Sequence, residues 1–508
     1  MIFNSINFII FFLIISFLYY LVPKKIQWIF LLVVSLIFYM YAGPKFIIFI
    51  VITTITTYYC AIFIEKKSEN QQILNSNVDE TDKNINIVRR HKSFILIIAL
   101  IINIGILFFL KYYNYFINLG NSIFEIWDIS TRFPTLTLIL PLGISFYTLQ
   151  AIGYCIDVYR NKYEPEKNIF KYALFLLFFP QILQGPIGRY DSLAAQIYKE
   201  KNFNYDNVKF GFQLMVFGFF KKLVIADRAN ILVNQVFDNY QSYSGYHIFL
   251  ASLFYTLQIY ADFSGCTDIA RGAAQVLDIN IMKNFDRPYF AKSIQDFWRR
   301  WHISLSSWFR DYLYFPLGGN RKGICGKCVN ILIVFFVSGV WHGVGLHYIA
   351  WGLLHGIYQI IGIILMPFRN LIVKTFGINR QSFGHKLYKI MVTFSLVNFA
   401  WIFFRADGLR NALHMIKSIV LSIINRDPVY NVFYSMGLDA TNFRIIVISI
   451  FVMIIVSSLQ RKINIRETIA QQSFSFRWTL YFISVCSIII LGIYGETGTS
   501  SAFIYYKF

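Results

Sequence analysis

The class of fold is decided by one stretch, Val329-Asn-Ile-Leu-Ile-Val-Phe-Phe-Val-Ser-Gly-Val-Trp-His-Gly-Val-Gly-Leu-His-Tyr-Ile-Ala-Trp-Gly-Leu-Leu-His-Gly356. It contains one apolar segment, 329–340, and most of a second, 346–366, joined by a short glycine-rich connection that carries His342. A helix that crosses a membrane needs about 20 mainly apolar residues, because lipid offers the backbone no hydrogen-bond partners. The two segments therefore predict a pair of membrane helices with a titratable side chain between them.

Segments of this character recur along the whole chain. The others occupy residues 7–22, 26–41, 45–64, 94–110, 135–156, 171–184, 210–226, 246–263, 387–404, 443–459 and 478–494. The chain has 508 residues, of which 56% are hydrophobic and 14% charged, with a mean hydropathy of +0.53. Soluble domains carry about 25% charged residues, so this composition excludes a disordered protein and an ordinary soluble one. We expect an all-α polytopic integral membrane protein with about 11–13 membrane segments.

Basic residues set the expected orientation in the membrane. Lys24 and Lys25 follow the first segment, the polar stretch 65–92 is rich in lysine and arginine, and residues 461–477 form a basic connection before the last segment. Such residues collect in cytoplasmic loops, so all three connections are predicted to be cytoplasmic and the C-terminal tail to lie outside. We interpret 65–92 as a flexible loop within an N-terminal helical region, 1–134. The segment 171–184 is short and is followed by Gly-Pro, which predicts a re-entrant or tilted segment.

The formal net charge of +21 has ordinary explanations in a membrane protein. Cytoplasmic loops attract anionic headgroups of the lipid membrane, and a basic cavity could hold an anionic cofactor. Because the sequence has no RNP-like or zinc-finger pattern, no nucleic-acid partner is expected. Cys325 and Cys328 form a lone Cys-x-x-Cys, and His342 and His355 would point to different sides of a continuous helix, so no metal site is expected either.

A second informative stretch is Asp296-Phe-Trp-Arg-Arg-Trp-His-Ile-Ser-Leu-Ser-Ser-Trp-Phe-Arg-Asp-Tyr-Leu-Tyr314. At about 100° per residue, one narrow stripe collects its large apolar side chains, while arginines occupy the rest of the surface. The stripe consists of Trp298, Trp301, Leu305, Trp308 and Tyr312. This pattern predicts one amphipathic helix that lies at the membrane interface or lines a funnel opening from it, and simple anchoring is the alternative interpretation.

Three polar residues in or beside apolar stretches are candidates for chemistry. His342 lies between two strongly apolar segments, where a titratable group is a functional hypothesis by default. His302 falls at the border of the aromatic stripe, with Ser306 one turn further along. Asp262, in Tyr260-Ala-Asp-Phe-Ser-Gly265, is the best placed acid to orient a catalytic group. A hydrogen-bonded structural role is the alternative for each histidine.

These residues together resemble the membrane-bound O-acyltransferase family. The resemblance rests on Phe297-Trp-Arg-Arg-Trp-His-Ile-Ser-Leu-Ser-Ser-Trp-Phe-Arg-Asp-Tyr-Leu-Tyr-Phe-Pro-Leu-Gly-Gly-Asn-Arg321 and Gly339-Val-Trp-His-Gly343. Further motifs are Leu140-Pro-Leu-Gly-Ile-Ser-Phe-Tyr147, Phe179-Pro-Gln-Ile-Leu-Gln-Gly-Pro-Ile187 and Asn284-Phe-Asp-Arg-Pro-Tyr289. The resemblance implies the family's fold, with a catalytic core at 135–366, C-terminal helices at 367–508 and a central tunnel.

Within that family the chain looks most like the bacterial members that O-acetylate alginate, peptidoglycan and other surface polysaccharides. The resemblance implies that His342 is the catalytic histidine and that His302 faces it in the tunnel. We expect the remaining substrate-binding or tunnel residues to be Trp298, Arg299, Arg300, Trp301, Ser306, Arg310, Asp262 and Trp341. The implied donor is an acyl thioester made in the cytoplasm, acetyl-coenzyme A by preference, with no tightly bound cofactor. The acceptor would be a polysaccharide outside the bacterial cytoplasmic membrane.

The C-terminal tail adds one further motif. Phe503, Tyr505 and Phe508 have the spacing Phe-x-Tyr-x-x-Phe, which resembles the C-terminal motif of the small peptide that accompanies the D-alanylation acyltransferase. There the tyrosine is the suspected acyl carrier, so Tyr505 is expected to pass the acyl group to an extracytoplasmic partner transferase of the SGNH-hydrolase-like type. An aromatic anchor at the outer interface is the alternative.

Other classes of function remain open at the level of sequence. D-alanyl transfer to teichoic acid is the second enzymatic reading. A transporter would keep moving its substrate after replacement of His342, and a scaffold for envelope-synthesis proteins would leave polymer acylation intact when both histidines are replaced.

Overall fold

The computed structural model describes residues 3, 5–41, 43–75, 81–129, 131–138, 140–428 and 435–494, with backbone alone for 67–75 and 81–86. Over these residues the chain is helical and contains no β-strand. The fold is that of a multi-pass helical membrane protein, as the recurrent apolar segments predicted. It divides into two compact units, one comprising 1–208 and 273–282 and the other 209–272 and 283–508.

Seven described helices are long and apolar enough to cross a membrane. These stretches are Pro44–Lys66, Ile87–Ile126, Gly323–His342, Leu346–Ile364, Phe383–Arg405, Ala440–Leu459 and Phe474–Leu491. Each coincides with a predicted apolar segment. The other predicted segments form helices that are shorter, interrupted or more polar, because their buried faces carry side chains such as Gln27, Gln150 and Lys222 that pack against protein.

The first unit contains eight complete helices among its described residues. Their bounds are α1 Ile6–Leu21, α2 Gln27–Met40, α3 Ile47–Asn75, α4 Thr81–Ile126, α5 Ile144–Tyr159, α6 Ile169–Leu177, α7 Phe179–Ile182 and α8 Tyr190–Ile197. Helices α3, α4 and α5 pack on one another. The flexible loop predicted for 65–92 is wrong for 65–75 and 81–92, where α3 and α4 continue as helix, because this Asn-rich mixture of charges has no proline or glycine to interrupt them.

The segment 171–184, for which the sequence predicts a re-entrant or tilted course, is interrupted as a helix within its own length. Helix α6 ends at Leu177, the single turn α7 follows, and residues 183–189 are not helical although most of them are buried. At the end of α6, Gln150 donates from Nε2 to the Phe175 carbonyl at 2.7 Å, and its side-chain oxygen accepts from Gln181 Nε2 at 2.8 Å. Irregular backbone in a membrane protein is tolerated where protein groups bond to it in this way.

The second unit contains the other helices of the described chain. Their bounds are α9 Tyr205–Phe219, α10 Asp227–Phe237, α11 Gly245–Val276, α12 Ile294–Arg300, α13 Ile303–Phe309, α14 Gly323–His342, α15 Leu346–Ile364, α16 Met366–Thr375, α17 Phe383–Arg405, α18 Leu409–Asn425, α19 Ala440–Leu459, α20 Ile465–Ala470 and α21 Phe474–Leu491. The first residues of α9 and the last of α11 belong to the first unit. Residues 220–226 form a π-helical segment between α9 and α10.

Helices α14 and α15 are the antiparallel pair encoded by the opening stretch of sequence. They pack backbone against backbone: a Cβ added at Gly339 would lie 2.5 Å from the Tyr348 carbonyl oxygen, and one at Gly352 would lie 2.3 Å from that of Phe335. Only glycine permits this approach. Helix α17 packs against α15, and its Phe404 contacts His342 at the C-terminal end of α14.

The single amphipathic helix predicted for 296–314 is wrong. The chain breaks at Trp301 and His302 into α12 and α13, and a π-helical segment follows at 310–314. His302 adopts a left-handed backbone conformation with φ of 44°. The backbone N–H groups of Ile303 and Ser304 bond to Asn284 instead of to the preceding turn. The stripe residues Trp301, Leu305, Trp308 and Tyr312 are buried inside the protein.

Candidate active site

His342 is the last residue of α14 and is 3% exposed. Its imidazole makes edge contacts with Trp351 of α15, at 4.8 Å between ring centroids, and with Phe404 of α17, at 5.4 Å. Trp341, its neighbour in the chain, lies at 4.8 Å. The close glycine packing of α14 and α15 is what brings the imidazole against these rings. The described ring contacts of His342 are therefore aromatic, from three different helices.

His302 lies at the break between α12 and α13 and is fully buried. Its Nδ1 is 3.3 Å from the side-chain oxygen of Asn284, which also accepts from the backbone N–H of Ser304 at 3.1 Å and from the Ser304 hydroxyl at 3.0 Å. Because that oxygen is an acceptor in all three contacts, Nδ1 is the nitrogen that donates. This tautomer leaves Nε2 of His302 as a hydrogen-bond acceptor.

Burial also determines the charge of His302. Removal from water lowers the pKa of this imidazole from its ordinary value of 6.5 to about 3. At neutral pH the side chain is therefore uncharged and a weak proton acceptor. It is suited to positioning a donor group by accepting a hydrogen bond, and much less suited to acting as a general base.

Trp341 connects the two histidines. Its ring lies 6.3 Å from that of His302 and 4.8 Å from that of His342, and both contacts are edge-on. On the other side of His302, Phe263 of α11 contacts the imidazole at 4.8 Å. The structure therefore brings the two predicted histidines to one aromatic-lined region of the second unit, with one tryptophan between them.

Two of the predicted tunnel residues are packed close to this region. Trp298 contacts Trp351 at 5.8 Å, and Trp301 contacts Trp401 at 5.2 Å. Ser306 donates its hydroxyl to the Trp301 carbonyl at 3.2 Å, which satisfies a backbone group at the helix break. Ser306 therefore stabilises the break.

The predicted arginines lie elsewhere. Arg299 is exposed, and Arg310 is 58% exposed and pairs with Asp311 at 2.9 Å. Arg300 pairs with Asp296 one turn earlier, at 2.8 Å. Each of these charges is thus matched by a nearby acid or by solvent, and the structure does not bring them to the two histidines.

Asp262 is buried but its ion-pair partner is a lysine rather than an imidazole. The ammonium group of Lys222 lies 2.9 Å from Asp262 and 2.9 Å from Asp227, and the three side chains are between 2% and 8% exposed. The adjacent Lys221 pairs with Asp268 at 2.6 Å and donates to Ser264 at 3.0 Å. The π-helical segment at 220–226 thus presents two consecutive lysines to buried acids.

Two residues that organise this region, Asn284 and Lys222, were not among the predicted site residues. Asn284 was quoted within a motif, but nothing local to it indicated a bond to a histidine 18 positions later. Lys222 lies in the apolar segment 210–226, and a lysine in such a segment is itself a signal of a buried partner. Phe503, Tyr505 and Phe508 lie outside the described residues. Within the described chain, no group of three or more histidine, cysteine or acidic side chains could hold a metal ion.

Residues 165–399 match the model of the membrane-bound O-acyltransferase family, a range that contains both histidines, Asn284 and Lys222. The match begins in the first unit, and in the second unit it extends from α9 into α17.

Three relatives illustrate the range of named activities. The peptidoglycan O-acetyltransferase of Helicobacter pylori is 38% identical over 360 residues, 65% of each chain. The probable alginate O-acetylase AlgI of Pseudomonas aeruginosa is 35% identical over 324 residues, 64% of this chain and 60% of the relative. The teichoic acid D-alanyltransferase of Bacillus subtilis is 30% identical over 237 residues, 44% of this chain and 59% of the relative. The matched part of the chain thus spans about two thirds or less of these relatives' length.

Proposed function

Because residues 165–399 match the model of the membrane-bound O-acyltransferase family, we propose that this chain transfers an acyl group, preferably acetyl, from a cytoplasmic thioester to a cell-envelope polysaccharide. The observation that carries the proposal is the placement of His342. A titratable imidazole, 3% exposed, ends a membrane helix against aromatic rings of two others. A charged or titratable group in such a place is costly and is retained where it serves function.

In the proposed reaction His342 is the general base. An acceptor hydroxyl attacks the acyl carbonyl carbon, His342 takes the hydroxyl proton, and the C–S bond of the thioester breaks. The imidazolium then returns the proton to the departing thiolate, so the imidazole is regenerated. Aromatic surroundings exclude water and thereby limit loss of the acyl group to hydrolysis.

His302 has a different task in this proposal. Its low pKa, about 3, makes it a poor base at neutral pH, whereas its Nε2 acceptor can hold an N–H or O–H group of a substrate. Asn284 fixes the tautomer that makes this possible. We therefore assign His342 to proton transfer and His302 to positioning.

The finer parts of the proposal concern donor, route and partner. We propose acetyl-coenzyme A as donor, a bacterial cytoplasmic membrane as location, and a tunnel through the protein as the path of the acyl group. Tyr505 would receive the acyl group outside and pass it to an SGNH-like partner transferase. These parts rest on the family resemblance, on the basic connections that orient the chain and on the spacing of the tail motif.

Relatives named for O-acetylation support the acetyl group. They reach 35–38% identity over about 64–65% of this chain, against 30% over 44% for the teichoic acid D-alanyltransferase. D-alanyl transfer to teichoic acid is therefore the second candidate.

The test measures esters on the cell surface. Acetate and D-alanine are released by mild alkali from envelope polysaccharide of cells producing wild type, His342→Ala, Tyr505→Phe or the control His414→Ala at matched membrane levels. His414 is an exposed histidine of α18 in the same unit. We expect acetate to fall to background in His342→Ala and to stay at the wild-type level in His414→Ala.

The other outcomes separate the alternatives. Loss in Tyr505→Phe supports the tyrosine relay, whereas full acetate in that variant removes the relay and leaves the enzyme. Release of D-alanine instead of acetate, dependent on His342, replaces the acetyl proposal by the second candidate. If neither ester depends on His342, the acyltransfer proposal is overturned.

A further inference from the structure

A second histidine of helix α15 lies one ring beyond the proposed catalytic centre. His355 is fully buried, with 0% exposure. Its imidazole contacts Trp351 at 5.3 Å between ring centroids, and Trp351 in turn contacts His342 at 4.8 Å. Trp298 contacts His355 at 5.2 Å and Trp401 lies at 6.4 Å. We refer to His355 with Trp298, Trp351 and Trp401 as the His355 cluster.

The polar atoms of this cluster are unsatisfied. Both ring nitrogens of His355 and the indole nitrogens of all three tryptophans are buried, and none has a hydrogen-bond partner within the described part of the chain. Buried polar atoms are ordinarily bonded, and each exception in a native structure requires an explanation. Five such atoms in one group of contacting rings are too concentrated to be incidental packing.

The chemistry of these atoms limits what could satisfy them. An indole nitrogen can only donate, and a neutral imidazole donates once and accepts once. The cluster therefore offers four donors and one acceptor. The rings that surround it, including Phe297 and Phe335 at 6.1 Å on either side of His355, are uncharged. A neutral group rich in acceptor oxygen, such as a carbonyl, matches this inventory, whereas a phosphate or an ammonium group does not.

Three helices hold the cluster in place. Trp298 comes from α12, Trp351 and His355 from α15, and Trp401 from α17. Trp351 and His355 are one helical turn apart and so lie on the same face of α15. Trp351 stacks on Trp401 with an interplanar angle of 18°, at 5.7 Å. Because Trp351 touches both His342 and His355, a ligand held at the cluster lies beside the proposed catalytic histidine.

We propose that the His355 cluster binds the acyl carbonyl of the thioester donor through its unsatisfied N–H groups. This inference rests on the function proposed above and adds to it a specificity-determining residue outside the two-histidine site. The N–H groups of His355 and Trp298 donate to the two lone pairs of the carbonyl oxygen, and Trp351 sets the distance between that carbonyl and His342. The chain then selects a donor that carries a carbonyl next to its sulfur, independently of the acceptor.

The test uses two coenzyme A thioethers that differ in one group. S-acetonyl-coenzyme A retains a carbonyl near sulfur, S-propyl-coenzyme A has a methylene in its place, and neither can transfer an acyl group. Equilibrium binding of each is measured to the purified full-length chain in lipid nanodiscs. We expect the wild type to bind the acetonyl compound about five-fold more tightly, the effect of roughly one neutral hydrogen bond.

Variants then assign that preference to the cluster. In His355→Leu we expect the two affinities to approach each other, and in Trp298→Phe, which loses the indole N–H together with part of the ring, the preference to fall by about half. His414→Leu is the control and keeps the five-fold ratio. The melting temperature of His355→Leu should equal or exceed that of the wild type, because two unsatisfied buried nitrogens are removed. A structural histidine would instead leave a less stable protein.

Each outcome bears on the proposal. An undiminished acetonyl preference in His355→Leu, or no preference in the wild type, overturns this inference. Acyl transfer by His342 is unaffected by either result, and ordered water would then be the partner of the cluster. Failure of the wild type to bind either thioether overturns both this inference and the proposed donor, whatever the ester measurements show.

Discussion

Replacing Lys222 by methionine should destabilise the second unit strongly. Lys222 is 2% exposed and its ammonium lies 2.9 Å from both Asp262 and Asp227, which are 3% and 8% exposed. Methionine keeps the length and removes the charge, so two carboxylates remain buried without their cation. Breaking a buried pair from one side costs about 3–5 kcal/mol, and sharing between two acids places Lys222 at the upper end.

A second lysine serves as the control, because it forms an ion pair of similar length that is exposed instead of buried. Lys283 and Asp286 are 3.0 Å apart in the same unit, but they are 54% and 35% exposed. An exposed pair contributes about 0.2–1 kcal/mol. Lys283→Met therefore removes an ion pair of nearly equal length at about a fifth or less of the cost.

The assay is thermal unfolding of the purified chain in detergent. For a large domain, about 2 °C of melting temperature corresponds to 1 kcal/mol, so we expect Lys222→Met to melt about 6–10 °C lower and Lys283→Met no more than about 2 °C lower. Asp262→Asn introduced into Lys222→Met should recover part of the loss, because it removes one unpaired charge. Equal shifts for the two lysines would refute the argument that burial sets the magnitude.

Three further predictions concern His302 and the helix pair that carries His342. Burial lowers the pKa of His302 from 6.5 to about 3, so the unfolded chain binds this proton first and stability is lost as pH falls below about 6.5. Between pH 7 and 4.5 the wild type should lose about 2–3 kcal/mol more than His302→Gln. Melting temperature measured against pH tests this, and parallel profiles for the two proteins would contradict it. Asn284→Leu removes the side-chain oxygen bonded to Ser304 and His302, so it should lower stability by about 1–3 kcal/mol and reduce surface acetate. Asn284→Asp keeps that oxygen and should retain more of the stability and more of the surface acetate. Gly352→Ala would place a methyl group 2.3 Å from a backbone oxygen of α14 and should cost about 1–3 kcal/mol by overpacking. Gly362→Ala on the same helix, where a methyl group would have nothing within 4 Å, should be neutral or stabilise the protein by up to about 1 kcal/mol. A loss of stability of similar size at both glycines would contradict the close packing.

The sequence predicted those features of the fold that depend on composition over a helix length. The two apolar segments around Val337–Gly345 became α14 and α15, and His342, which the sequence placed in the connection between them, is the last residue of the first helix. The segment 171–184, predicted to be re-entrant or tilted, is interrupted after Leu177, ahead of the Gly185-Pro186 that raised the prediction. Such signals are local, because the residues that form each helix are the same residues whose pattern predicts it.

The break at His302 shows where local reasoning stops. The periodicity of 296–314 is genuine, since four of the stripe residues are buried, but it continues across the point where the helix ends. Asn284 ends the helix: its side-chain oxygen accepts a hydrogen bond from the Ser304 N–H, and its backbone carbonyl accepts one from the Ile303 N–H. A partner about 20 residues away in the chain leaves no trace in a helical pattern. The same holds for Lys222 and Asp262, which the sequence separates by 40 positions.

The pairing of acids with lysines, beside the contacts of the His342 imidazole with aromatic rings, is the physical feature that links these observations. A carboxylate close to an imidazole favours its protonated form, and a protonated histidine cannot accept a proton from a hydroxyl. Asp262 and Asp268 are instead committed to Lys222 and Lys221, while the described ring contacts of His342 are aromatic. Removing the lysine should therefore do more than destabilise the protein. In Lys222→Met an uncompensated Asp262 shifts the electrostatic potential of the unit in the negative direction, so the pH at which surviving activity is half-maximal should rise relative to wild type, and an unchanged pH profile would show that the lysine pair and the proposed base are electrostatically independent.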